Sequence, residues 1–120
     1  MPAMIKYIET SDDLDAVFGE SFSRPSIVLK HSRTCGISAH ILNQVVDGLD
    51  HQVNVIVVQT HRDLSNSVAD RTGHRHHSPQ LFVLSNGIAV YHATHYGIDC
   101  AAVSAKMFDT VADIAGEAAI

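Results

Sequence analysis

Cys35 is the residue in this chain best placed to do chemistry, because a thiol nucleophile needs the setting that its neighbours describe. The apolar β-type run Ile27-Val28-Leu29 comes first, then the polar loop Lys30-His31-Ser32-Arg33-Thr34. Cys35-Gly36-Ile37-Ser38 then opens an amphipathic helix pattern. Sulfur at a helix start meets unpaired N–H groups and the positive end of the helix dipole, which favour an anion such as a thiolate. Arg33, and His31 when protonated, act in the same direction. An isolated cysteine is more often a small buried apolar residue. Gly36, Ser38 and the polar run before Cys35 instead describe an exposed turn entering a helix.

The elements that position this thiol follow from periodicity. Met4–Ile8 alternates as a first strand. Ser11-Asp12-Asp13 supplies a cap and acidic first turn for a helix carrying Leu14, Val17, Phe18 and Phe22, which Arg24-Pro25 ends. Ser26–Lys30 is a short apolar strand. The helix after Cys35 places Ile37, Ile41, Leu42, Val45, Val46 and Leu49 on one face, with Ser38, His40, Asn43, Gln44 and Asp47 opposite. Val53–Val58 is almost wholly β-branched and apolar, as in a parallel strand covered on both faces. A helix over Leu64–Arg71 stops at Gly73. Leu81–Leu84 and Ile88–His92 flank Asn86-Gly87, a strong hairpin signal that makes them antiparallel neighbours. A last helix starts at Asp99, its cap, and shows Val103, Met107, Val111 and Ile114 at helical spacing.

The resulting order, β-α-β-α-β-α-β-β-α, implies an α/β domain: a mixed central sheet with helices on both faces and right-handed crossovers. At 120 residues, 46% hydrophobic and 18% charged, the chain suits one domain over residues 1–120. No apolar stretch approaches the roughly 20 residues that span a bilayer, and Met1-Pro2-Ala3-Met4-Ile5-Lys6 shows no signal-peptide pattern. No membrane partner and a cytoplasmic location are therefore expected. A formal charge of −5 and a pI near 5.9 argue against a nucleic-acid partner, which would call for clustered Lys and Arg. The densest such stretch, Arg71–His77, is mostly histidine. Two cysteines in a reducing compartment point to reactive or inert thiols rather than a structural disulfide.

A cysteine at a strand-to-helix turn and a proline before the hairpin together resemble the thioredoxin fold. Three blocks are more specific. They are Leu29-Lys30-His31-Ser32-x-x-Cys35-x-Ile37-Ser38, Arg71-Thr72-Gly73-x-Arg75-His76-x-Ser78-Pro79-Gln80, and Asn86-Gly87 followed by His92-Ala93-x-His95. They resemble the YtxJ-like bacillithiol-system proteins, the monothiol bacilliredoxins, over most of the chain. Gly36 departs from that pattern, which usually has proline there.

The resemblance implies that Cys35 attacks a mixed disulfide between a protein cysteine and bacillithiol, accepting the small thiol and freeing the protein. Bacillithiolated proteins are then the partners. A low-molecular-weight thiol or a redox partner regenerates Cys35, bacillithiol is a thiol co-substrate, and no cofactor or metal is bound. Ser38 stands where dithiol relatives hold a resolving cysteine, so a monothiol cycle is expected, with the Ser38 hydroxyl available to the thiolate. The resemblance also implies a cis Ser78-Pro79 bond, with the Ser78 backbone pairing to an extended substrate and His77 beside the thiol or in a solvated loop.

Hairpin topology returns Thr94–Asp99 to the same edge. Thr94, Tyr96 and Asp99 are thus expected to line a bacillithiol pocket, with N–H groups at the helix start meeting ligand carboxylates, and Thr34 and Gly36, flanking Cys35, are expected to support the site. The alternative for Thr94, Tyr96 and Asp99 is a plain hairpin exit and helix cap. Cys100 reads either as a distal resolving thiol or as a small buried position.

Other functions stay open on sequence. Cys35-Gly36-Ile37-Ser38 approaches the Cys-Gly-Phe-Ser of monothiol glutaredoxins that carry iron–sulfur clusters. Those proteins have a Gly-Gly-x-Asp-Asp segment after the hairpin, where this chain has His95-Tyr96-Gly97-Ile98-Asp99. His74, His76 and His77 raise metal binding, although adjacent loop residues often point apart. A noncatalytic thioredoxin-like interaction module is a further alternative. No nucleophile-elbow serine motif or Cys-x5-Arg loop is present.

Overall fold

A computed structural model describes residues 2–118, with side chains through Val111. In chain order the elements are β1 (Met4–Tyr7), α1 (Ser11–Glu20), β2 (Ser26–His31), α2 (Gly36–Gly48), β3 (Gln52–Val57) and α3 (Arg62–Thr72). There follow β4 (Gln80–Ser85), β5 (Ile88–Thr94), a 3-10 turn over His95–Gly97, and α4 (Cys100–Ala118). The strands form one mixed sheet in the order β1-β3-β2-β4-β5. β1, β3 and β2 run parallel, and β4 and β5 are antiparallel.

Strand alternation sends Ile27, Leu29, Val53, Val55, Leu81 and Val83 to one face, where they meet Ile41 and Val45 of α2, Leu49 just past its end, and Val103 and Met107 of α4. Val28, Ile56, Phe82 and Leu84 go to the other, against Leu14, Val17 and Phe18 of α1 and Leu64 and Val68 of α3. Each such side chain contributes about 1.5–3 kcal/mol on burial, so both faces are needed to hold the sheet.

The ends of the elements differ in detail from the periodic reading. The cap of α1 is Thr10, whose hydroxyl accepts from the Asp13 N–H while the Asp13 carboxylate accepts from the Thr10 N–H. That helix ends at Glu20, which leaves Phe22 exposed instead of in the core. Val111 is also exposed, and Ile114 lies beyond the described side chains. The expected Gly73 stop holds, with φ of 74°. Asn86 and Gly87, with φ of 54° and 76°, form the tight turn between β4 and β5. Its tip is tethered to the end of α1, since the Asn86 N–H donates to the Ser21 carbonyl (2.8 Å) and the Gly87 N–H to Ser21 Oγ (2.9 Å).

Two features place the site. The parallel strands β2 and β3 end on the same edge of the sheet, at His31 and Val57, and β4 begins there, since Lys30 stands opposite Gln80. The loop to Cys35, the approach to Pro79 and the exit from β5 at Thr94 are therefore neighbours by topology.

Candidate active site

Cys35 is half-buried and occupies the cap position of α2 in extended conformation, φ −104° and ψ 118°. Among the described residues no side-chain oxygen caps this helix. The sulfur stands where Ser or Asp would ordinarily meet the first N–H groups, which are left for an incoming anion. Gly36 follows at the first helical position, exposed, and a β-carbon there would meet nothing within 4 Å. Gln59, just past β3, pins the loop from the neighbouring strand. Its Oε1 accepts from the Arg33 N–H (3.1 Å), and its Nε2 donates to Ser32 Oγ (2.6 Å) and to Thr34 Oγ1 (3.1 Å). Thr34 thus serves the loop's shape. Gln59 was not singled out from sequence; its signal is a polar residue immediately after a β-branched strand ending at the sheet edge.

Ser38, expected on the polar face of α2, is completely buried. Its hydroxyl accepts from the Ser32 N–H (2.9 Å) and lies 2.9 Å from His31 Nδ1. Its bonds run inward to the loop rather than to Cys35. Burial, followed by the Arg33 charge, pushes the His31 pKa below its ordinary 6.5. The neutral imidazole is thereby favoured and its ring buttresses Ser38, so the condition on which His31 would add positive charge near the thiol is disfavoured here.

On the other side of the loop the Ser78-Pro79 bond is cis. The Pro79 carbonyl accepts from the His95 N–H (3.0 Å), joining the start of β4 to the exit of β5. His95 adopts a left-handed φ of 52°, a conformation that costs a residue with a β-carbon about 1–2 kcal/mol. The turn sets the His95 ring edge-on to His77, with centroids 5.8 Å apart. Tyr96, largely exposed, lies edge-on to His40 of α2 at 6.3 Å. Thr94, opposite Gln80, leads into this turn.

Between α2 and this turn runs an open groove of about 760 Å³, lined by His40, Asn43, Asp47, Tyr96, Asp99 and Cys100 among others. Asp99 caps α4, accepting from the Ala101 N–H (3.1 Å). Its own carboxylate therefore occupies the helix start that was expected to receive a ligand carboxylate. The uncapped start of α2 offers free N–H groups instead.

Cys100 packs against the C-terminal half of α2, its Sγ donating to the Gln44 carbonyl (3.4 Å) beside Gly48. Gln44 lies nine residues past Cys35, about 13 Å of helix. A disulfide needs α-carbons within about 7 Å, so Cys100 does not resolve a Cys35 adduct within this fold. Burial and then the Asp99 charge push its thiol pKa up.

The histidine-rich loop does not converge. His74 stacks on His92 (4.1 Å between centroids, 13° between planes), His76 Nδ1 lies 3.0 Å from Ser65 Oγ and 3.4 Å from Lys30 Nζ, and His77 faces His95. Among the described residues no group of three His, Cys, Asp or Glu is arranged to hold a metal. Lys30, read from sequence as the end of a strand and the start of the polar loop, is wholly buried under this segment, and burial lowers its pKa to about 8.

A five-stranded mixed sheet flanked by helices, with cysteine at a strand-to-helix turn and a cis-proline opposite, defines a thioredoxin-like oxidoreductase fold. A solved protein with a thioredoxin fold shares 33% identity, covering 86% of this chain and 91% of its own, with a TM-score of 0.76. The fold is shared at 15% identity with the thioredoxin NaTrxh from Nicotiana alata (92% of this chain and 95% of that one, TM-score 0.68). A thioredoxin variant from Halobacterium salinarum NRC-1 gives 15%, 89%, 90% and 0.65 in the same terms. The family model of the monothiol bacilliredoxin BrxC matches residues 6–103, and the chain belongs to that family.

Proposed function

We propose that this protein removes bacillithiol from mixed disulfides on protein cysteines by a monothiol cycle. The Cys35 thiolate attacks the bacillithiol sulfur. The sulfur–sulfur bond to the substrate protein breaks, that protein's thiolate leaves and takes a proton from water, and a Cys35–bacillithiol disulfide remains. A second bacillithiol, or the thiol of a redox partner, then attacks this adduct and restores Cys35. The redox electrons come from that thiol, so no bound cofactor or metal is called for. A reducing, cytoplasmic setting suits the cycle. No helix among the described residues is long and apolar enough to cross a membrane.

The observation that carries the reading is the pairing of an uncapped helix start under Cys35 with the absence of a local partner for it. Ser38 stands in the resolving position with its hydroxyl turned inward, and Cys100 is about two and a half helical turns away. The α2 start and the groove lined by Tyr96 and Asp99, with Thr94 leading into the turn beside it, are the proposed seat of bacillithiol. The Ser78 backbone and His77 face the protein substrate.

The test is incubation of wild type, Cys35→Ser and Cys100→Ser with bacillithiol disulfide, followed by intact mass. One bacillithiol adduct that disappears only in Cys35→Ser is expected. A loss of two hydrogens dependent on both cysteines would overturn the monothiol cycle, and absence of any Cys35 adduct would overturn the exchange reading itself.

A further inference from the structure

Beneath the loop that approaches the thiol lies a buried polar cluster that the exchange chemistry does not use. Gln80 and Lys30, opposite each other in the ladder, are both fully buried on the α3 side of the sheet. The Gln80 carboxamide turns back on the loop that precedes it. Its Oε1 accepts from the His77 N–H (3.3 Å), and its Nε2 donates to the Arg75 carbonyl (2.9 Å). These two backbone partners of opposite polarity fix which end of the amide is nitrogen.

Gln80 Nε2 also lies 2.8 Å from His92 Nε2. An amide nitrogen only donates, so the His92 nitrogen must be bare, and His92 must be neutral with its proton on Nδ1. The charged and titratable groups acting on His92 are His74, stacked on it from the loop, His77, also from the loop, and Lys30 from β2. The neighbouring His76 feels Lys30, His77 and Arg62 of α3, and its Nδ1 faces the Lys30 ammonium, which likewise only donates. None of these neighbours is an acid. Proton uptake by His92 turns its contact with Gln80 from a hydrogen bond into two opposed N–H groups, and Gln80 then keeps it at bay only by giving up Arg75.

We propose that Gln80 is a positioning residue of the exchange site, holding the Arg75–Pro79 segment against the substrate side of Cys35, and that this grip is released when His92 takes up a proton. The inference rests on the exchange reading above. Burial, followed by the charges of His74, His77 and Lys30, lowers the His92 pKa from its ordinary 6.5. The latch is therefore closed at neutral pH and opens as pH falls below 6.5, in acid.

Two rates measured on the same samples between pH 5 and 8 test this. One is exchange with a peptide carrying a bacillithiol mixed disulfide, which uses the loop. The other is Cys35 labelling by iodoacetamide, which does not. Their ratio removes the common dependence on thiolate. In wild type the ratio is expected to fall about tenfold in acid. Gln80→Met should hold the ratio flat at the wild-type acid value, about tenfold below wild type at neutral pH and equal to it in acid, through KM and with labelling unchanged, and His92→Phe should abolish the acid fall. A flat wild-type ratio, an acid fall that survives in His92→Phe, or labelling and exchange falling together in Gln80→Met would each overturn the positioning role while leaving exchange intact. No exchange by wild type at any pH would instead sink the exchange reading and the positioning role with it.

Discussion

Two helices of this protein start at a cysteine, and the two starts have opposite character. At α2 the sulfur of Cys35 is itself in the cap position, half-open, with no oxygen on the first N–H groups. At α4 the cap position belongs to Asp99, and Cys100 one residue later leans on the Gln44 carbonyl with its pKa raised by burial and by that carboxylate. Both sulfurs sit in the positive field of a helix end. The dipole is therefore not what separates them; what separates them is who occupies the cap and where the sulfur packs.

The widest difference to look for is in labelling by a small electrophile at pH 7.5, where Cys35 should react about a hundredfold faster than Cys100 when each is followed by peptide mass spectrometry. Equal rates would erase the distinction. In Cys35→Ser, Cys100 should stay slow until pH passes the ordinary thiol value of 9.0, because its raised pKa keeps the neutral form dominant below that.

Ser38→Ala should next cost about 1–3 kcal/mol in urea unfolding by stranding the buried Ser32 N–H and its His31 partner. Cys35 labelling should stay near wild type, since the hydroxyl points away from the sulfur. A large change in labelling would mean that Ser38 serves the thiol directly. Asp99→Asn keeps a competent cap but removes the charge. Burial is the larger cause of the Cys100 shift, so labelling there should rise only about threefold.

The smallest effect belongs to Gly36→Pro. The position is first in the helix, has open space, and follows a residue already extended as proline requires, so about 0.4–1 kcal/mol of added stability is expected by thermal melting.

The order of elements, the Asn86-Gly87 turn, the Gly73 stop and the cap position of Cys35 were all legible, because each rests on a local pattern that tertiary contacts did not override. Ser38, Lys30 and Gln80 were misjudged or passed over for a shared reason. Polar residues read as solvent-facing, and their burial is permitted only by partners far along the chain, such as His76 for Lys30 and Arg75 and His92 for Gln80.

His92 was hidden by a different device. The register of β5 against β4 shifts between Val83 and Leu84, and Val90 is the extra residue, since Leu84 faces Ala89 and Val83 faces Tyr91. Strict alternation would put His92 on the face of Val90. The bulge moves it opposite Phe82, among the buried polar groups.

The tether from Ser21 to the hairpin tip changes how that hairpin keeps time with the rest of the molecule. Amide hydrogens at an untethered turn trade with water at close to the pace of an open chain. Those of Asn86 and Gly87 are both spent on Ser21, so their exchange waits for the end of α1 to lift away. Two amide signals at one tip thus act as a clock for the docking of α1, and for the holding of a hairpin whose opposite end carries Pro79 and His95 to the thiol.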